Sequence, residues 1–265
     1  MEMKRAHLLK HIGVVLAVCL VCLAGVALWT TRGSGDSGHD LFLRNDFTFG
    51  RVVYQNSGGF YRGWGWGRWS VDFPSADANV IRALRATTSL KINEPQAVEL
   101  TDSDLFDIPF LYILEVGSLQ FSQEEVDALR EYLLRGGFLM VDDFHGSRQW
   151  ANWESQMKRV FPERDIEEVP AGHAIFHSYY DFDEYPLVPG TAALWRMGNY
   201  EQDGGLYGHR LRSITDDGGR LMVLMNWNAD LGDGWEHAAD PGYPRAYSVI
   251  AYRLAVNYAI YAMTH

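Results

Sequence analysis

The chain has 265 residues, 47% of them hydrophobic and 14% aromatic, and a formal net charge of −11 at pH 7. That length suits one large domain behind an N-terminal segment. The acidic balance argues against a nucleic-acid groove, which needs a Lys/Arg surface. Both cysteines, Cys19 and Cys22, lie in an apolar run near the N-terminus, so the rest of the chain has no disulfide, cysteine metal site or thiol nucleophile.

Residues 12–29 form an uninterrupted apolar run preceded by Lys4, Arg5 and Lys10. About 18–20 helical residues span a hydrocarbon core of ~30 Å, and the basic flank belongs on the cytoplasmic side. The reading is a single-pass inner-membrane protein. Residues 1–30 are a cytoplasmic stub and transmembrane anchor, residues 31–46 a Gly/Ser/Asp-rich flexible linker, and residues 47–265 an extracytoplasmic, periplasmic domain. The alternative is a cleaved signal peptide with Gly25-Val26-Ala27 as its small-x-small site, which makes the protein secreted.

Residues 47–54 alternate apolar and polar side chains and predict a first strand. In residues 55–71 glycine alternates with aromatics and arginine, which predicts a long functional loop. Tyr61, Arg62, Trp64, Trp66 and Trp69 are its candidate ligand- or partner-binding residues, because aromatics and Arg dominate such surfaces; packing over the sheet is the competing role. The Lys-Ser/Thr of a phosphate loop is missing. Pro74-Ser75 opens a helix with Val80, Ile81 and Leu84 on one face. Residues 97–100 predict a strand, and the nearly continuous apolar run 110–116 predicts one buried on both faces. Ser122 and Glu125 form a capping box ahead of Val126, Leu129 and Leu133, and Gly136-Gly137 stops that helix. Residues 138–141 are the following strand, which completes a βαβ unit.

That strand runs into Asp142, Asp143, His145 and Gly146. Ligands of open α/β sheets bind beyond the carboxyl ends of the strands, so Asp142, Asp143 and His145 are the candidate catalytic residues. Adjacent strand residues point to opposite faces, so one Asp faces a given pocket; capping of a helix over residues 147–161 is the competing role. His173 and His177 are spaced for one helix face, although Pro170 and Gly172 favour a loop. With Asp143 and His145 they are the candidate ligands of a divalent metal; packed histidines are the bland alternative. Residues 210–215 and 220–226 predict a hairpin through Asp216-Asp217-Gly218-Gly219. Residues 226–237 place oxygen ligands at alternate positions, similar to a calcium loop but without EF-hand spacing; Asn228, Asp233 and Trp235 are assigned to shaping a ligand pocket, with ion binding and an ordinary long turn as the competing roles. Residues 248–264 predict a terminal helix.

The strings FTFGRVVYQNSGG, FLYILEVG, LRGGFLMVDDFHG, GHAIFHSYYDF and LAVNYAIYAMTH resemble the bacterial family known as domain of unknown function 4159, over residues 47–265. The resemblance implies a class I glutamine amidotransferase-like fold, an α/β flavodoxin-like three-layer sandwich, here preceded by one N-terminal transmembrane helix. Such enzymes carry a cysteine on the turn after a central strand, where this chain has Asp142 to Gly146. A thiolate is the nucleophile of that chemistry, so glutaminase activity is excluded. Relatives beside von Willebrand A modules imply an envelope protein partner, in addition to the membrane itself. The leading reading is a non-catalytic ligand- or partner-binding domain. The alternative is a metal-assisted hydrolase in which Asp142, Asp143, His145 and His177 converge on a metal that activates water.

Overall fold

Short, largely buried runs of five to seven residues build the centre of a seven-stranded sheet. The computed structural model describes residues 46–55, 67–195 and 208–265. The expected anchor, nearly all of the linker, and Tyr61, Arg62, Trp64 and Trp66 lie outside the described residues. Among the described residues, no helix is long and apolar enough to cross a membrane.

The strands are β1 (Phe49–Val53), β2 (Gln96–Glu99), β3 (Phe110–Leu114), β4 (Phe138–Phe144), β5 (Glu167–Glu168), β6 (Arg210–Thr215) and β7 (Leu221–Trp227). Their order is β2-β1-β3-β4-β7-β6-β5. β2, β1, β3, β4 and β7 pair in parallel, while β6 and then β5 add antiparallel at one edge. The helices are α1 (Ser75–Thr87), α2 (Gln123–Leu134), α3 (Gly146–Val160), α4 (Thr191–Trp195), α5 (Leu231–Glu236) and α6 (Arg245–Thr264).

Strand alternation sorts the core into two layers. Leu111 and Ile113 of β3 pack with Val126, Leu129 and Leu133 of α2 and with Trp153 and Met157 of α3. Phe110, Tyr112 and Leu114 face the other way, against Val80, Ile81 and Leu84 of α1 and Leu254 and Tyr258 of α6. The result is an α/β sandwich of three layers with β3 and β4 buried on both sides. The capping box of α2 forms as the sequence predicts: Ser122 Oγ accepts from the Glu125 N–H at 3.1 Å, and Glu125 accepts from the Ser122 N–H at 2.6 Å. Gly136, at φ 110°, supplies the left-handed stop.

β4 runs three residues beyond its predicted end, because it carries a bulge. Val141 pairs with Met225 and Phe144 with Trp227, so β4 advances three residues while β7 advances two. Val141 packs in the α2/α3 layer. Asp142 faces the α1/α5/α6 layer, where it meets Tyr112. Asp143 is the extra residue, and it returns Phe144 to the α2/α3 layer.

A buried ion pair fixes the segment ahead of α1. Arg51 of β1 pairs with Asp77 of α1 through both carboxylate oxygens, and both side chains are at most 1% exposed. The same guanidinium lies 4.6 Å from the Tyr112 ring centroid and donates to the carbonyls of Trp69 and Val71 at 3.4 and 3.2 Å. The turn carrying Asp72 is thereby tied to the central sheet.

Candidate functional site

Four non-glycine residues have left-handed backbones among the described residues: Asp72 (φ 62°), Glu115 (55°), Asp143 (46°) and Asn228 (61°). Glu115 follows β3, Asp143 is the β4 bulge, Asn228 follows β7, and Asp72 lies in the turn that Arg51 holds. Asp and Asn tolerate this conformation better than most side chains, but it still costs free energy. The strain gathers where a parallel sheet presents ligands.

The two adjacent aspartates do different work. Asp142 is fully buried; its Oδ2 accepts from the Tyr112 hydroxyl at 2.9 Å and from the backbone N–H groups of Leu231 and Gly232 at 2.8 and 3.0 Å. It docks the start of α5 onto β4. Burial first, then the charge of Asp143, pushes its carboxyl up to about 7. Asp143 Oδ1 lies 3.1 Å from His145 Nε2. Burial works to lower the His145 pKa, but the hydrogen bond and charge of Asp143 outweigh it, and the imidazole is raised above its ordinary value. Neither aspartate caps α3. His145 is the N-cap residue, and Gln149 Oε1 accepts from its backbone N–H at 2.7 Å.

Further carboxylates surround Asp143. Glu115 accepts from Arg68 Nη1 at 2.7 Å, yet burial and Asp143 still raise it to about 7. Burial and the charges of Asp143, Asp233 and Glu236 push Asp72 up to about 9. Asp230 is 5% exposed and lifted well above the ordinary range by burial, then by Asp143 and Asp233. Asp143 is thus the leading charged neighbour of Asp72, Glu115, Asp142 and Asp230 alike. Ligand atoms of Asp72, Asp230 and Asp233 all lie within 4.8 Å of one another, and those of Asp233, Glu236 and His237 form a second such group.

The remaining sequence candidates separate. His173 and His177 do not join Asp143 and His145. His173 Nδ1 accepts from the Ile175 N–H at 3.1 Å, and its ring lies 5.6 Å from that of Tyr261, whose hydroxyl accepts from the N–H of Leu221 at the start of β7. This is the amino edge of the sheet, roughly 20 Å from the mouth at about 3.3 Å per strand residue. Asn257 of α6 holds the segment there through Ile175 and Tyr180. His177 pairs locally with Asp181 at 2.9 Å. Trp235 is fully buried against Tyr112 and Phe49, so it is a core ring and not a contact surface. Asn228 is also buried, accepting from the Gly146 N–H and donating to the Gly208 carbonyl at 2.9 and 2.7 Å. Trp69 is half-buried against Phe73. Asp233 is at the mouth, where its Oδ2 accepts from the N–H and hydroxyl of Thr191 at 2.6 and 2.9 Å.

Sequence reasoning missed Asp72 and Glu115, and it took Asp230 only as part of the oxygen-rich run 226–237. An acidic residue two before a helix-opening proline, and one directly after an apolar strand, were the available signals. A family model described as Domain of unknown function (DUF4159) matches residues 48–263, and no curated protein matches the chain.

Proposed function

This chain belongs to the DUF4159 family, and we propose that its domain binds a positively charged ligand at the carboxyl mouth of the sheet. One observation carries the reading: carboxylates from separate segments gather at the mouth, with ligand oxygens of Asp72, Asp230 and Asp233 within 4.8 Å of one another and Glu115 beside Asp143, to whose carbonyl its N–H donates at 3.2 Å. Of the cationic groups that act on this cluster, Arg51 is already engaged by Asp77, Arg68 by Glu115 and the His145 imidazole by Asp143. An anionic ligand would meet repulsion here, whereas a cationic one supplies the missing charge.

The order β2-β1-β3-β4-β7 supports reading the sandwich as flavodoxin-like, and through it as class I glutamine amidotransferase-like. The switch point of such a sheet lies between β1 and β3, beside Glu115 and the turn of Asp72. Asp143 then stands where those enzymes carry their cysteine, and the domain binds without amidotransferase chemistry. We place it outside the cytoplasm behind the anchor of residues 1–30, facing an envelope partner of the von Willebrand A kind; the apolar run and its basic flank support this placement.

The test is thermal unfolding of the full-length protein at low ionic strength with spermidine, calcium chloride, magnesium chloride, or sodium phosphate as the anionic control. A cation should raise the midpoint of the wild type and act weakly on Asp143→Asn. A response to phosphate with none to the cations would refute the reading.

The pairing of Asp143 with His145 favours a second reading, a metal-assisted hydrolase in which the raised imidazole is a general acid. Hydrolysis of phosphate and carboxylate ester substrates, lost in His145→Gln, would support it. An inactive wild type would count against it.

A further inference from the structure

We propose that Asp72, Asp230 and Asp233 bind a hard divalent cation, coordinated wholly by oxygen. The site lies within the acidic mouth and rests on the reading of its ligand as cationic. Two separate elements converge on it. Asp72 comes from the turn that Arg51 ties to β1, Asp230 is the N-cap residue of α5, and Asp233 stands in the first turn of that helix. Their ligand atoms lie within 4.8 Å of one another.

An independent observation asks for a ligand. The fully buried Asp142 has an oxygen, Oδ1, with no hydrogen-bond partner among the described residues, and so has the buried Asp72 Oδ2. A buried acceptor without a partner is costly, and more so when charged. The two carboxyls meet at Gly232, whose N–H donates to Asp142 Oδ2 at 3.0 Å and whose Cα lies beside Asp72 Oδ2. A Cβ on Gly232 would strike Asp72 Oδ2 and the Tyr112 hydroxyl and would approach Asp230 Oδ1, and that hydroxyl donates to Asp142. On the other side, a Cβ on Gly190 would strike Asp230 Oδ2 and would approach Asp233 Oδ2. Glycine at both positions leaves room beside these oxygens.

The donor set selects the ion. With carboxylates and no thiolate or imidazole in the trio, calcium, magnesium or manganese is preferred over zinc or copper. Calcium sits about 2.3–2.6 Å from its ligands, so oxygens on opposite sides of it are about 5 Å apart. Oxygens within 4.8 Å of one another can share a calcium ion, whereas magnesium, at about 2.0–2.1 Å from each ligand, needs them within about 4 Å. Asp230 Oδ1 accepts from the Asp233 N–H at 2.8 Å and Thr191 holds Asp233 Oδ2, so both carboxylates are oriented before an ion arrives.

The experiment is isothermal titration of the full-length protein, stripped with EDTA, with calcium chloride and then magnesium chloride, alongside thermal unfolding. Two variants are compared with the wild type: Asp72→Asn, and Asp230→Asn, in which Asn keeps the helix cap. The expected result is saturable one-site binding by the wild type, weakened at least tenfold in both variants. Without cation, Asp72→Asn should unfold at the wild-type temperature or higher, because an amide avoids the cost of burying a carboxyl that must take up a proton on folding. Binding that stays within twofold of wild type in both variants would overturn the site. So would a cation-free Asp72→Asn protein that unfolds well below the wild type, since that marks Asp72 as a structural acceptor. No response to either metal, with spermidine still stabilising the protein, overturns the metal site and leaves the cationic-ligand reading standing. Silence towards all three overturns both.

Discussion

Stripping the protein of cations and raising the pH should destabilise it, which is the opposite of what salt-bridged carboxylates produce. The sign follows from the direction of the pKa changes. Asp142 and Glu115 are raised to about 7 in the folded state, and Asp72 to about 9. Above about pH 4 the unfolded chain has released these protons while the folded state keeps them. Folding therefore takes up protons, and stability falls as pH rises towards the folded values. Asp142 alone stays protonated in the folded state over most of the span from about pH 5 to about pH 7. At about 1.4 kcal/mol per pH unit that is a loss of about 3 kcal/mol. For a domain of this size each kcal/mol moves the unfolding midpoint by about 2–4 °C, so a drop of about 6–12 °C is expected. Glu115 and Asp72 act in the same direction. The assay is circular dichroism melting in EDTA across that pH range. A midpoint that is flat or rises towards pH 7 would show that the mouth carries no such repulsion.

Arg51→Met should destabilise the domain by about 3–5 kcal/mol in urea unfolding, because it leaves Asp77 buried without its partner; a loss below about 1 kcal/mol would mean that the pair is replaceable. Gly232→Ala should cost about 1–3 kcal/mol through the contact with Asp72 and Tyr112 and should abolish any calcium response. A variant that still binds calcium would place the ion elsewhere. His173→Ala with His177→Ala should leave cation titrations unchanged, since both imidazoles sit at the far edge of the sheet; altered affinity would contradict that placement.

The legible parts of the fold are those set by local chemistry. The continuous apolar run of β3, the capping box at Ser122 and the Asp-Gly turn between β6 and β7 each specify their element within a few residues. The bulge in β4 was not legible, because nothing in Asp142-Asp143-Phe144 alone distinguishes a regular strand end from one with an extra residue. The demand comes from β7, where Trp227 must meet Phe144. Part of the site was visible: residues 226–237 show oxygen donors at short intervals, and Asp233 came from that pattern. Asp72 was not, since only the buried grip of Arg51 on its turn brings it beside a helix far along the chain. Conversely, the spacing of His173 and His177 suggested a pair, and α6 drew them to the wrong end of the sheet.

The extra residue in β4 makes chain length itself a functional variable. A strand has parity, with odd and even positions belonging to different layers, and Asp143 changes that parity once. Deleting it would do more than remove a carboxylate: Phe144 would be delivered to the layer of α1, α5 and α6, and α3 would start out of phase with its own core positions. Five residues join β6 to β7, and Asp217, Gly218 and Gly219 at the tip of that turn are exposed and outside the ladder. Insertions and deletions should therefore be tolerated at that turn and excluded between Val141 and Phe144, a pattern that a library of single-residue deletions read out by soluble expression would reveal.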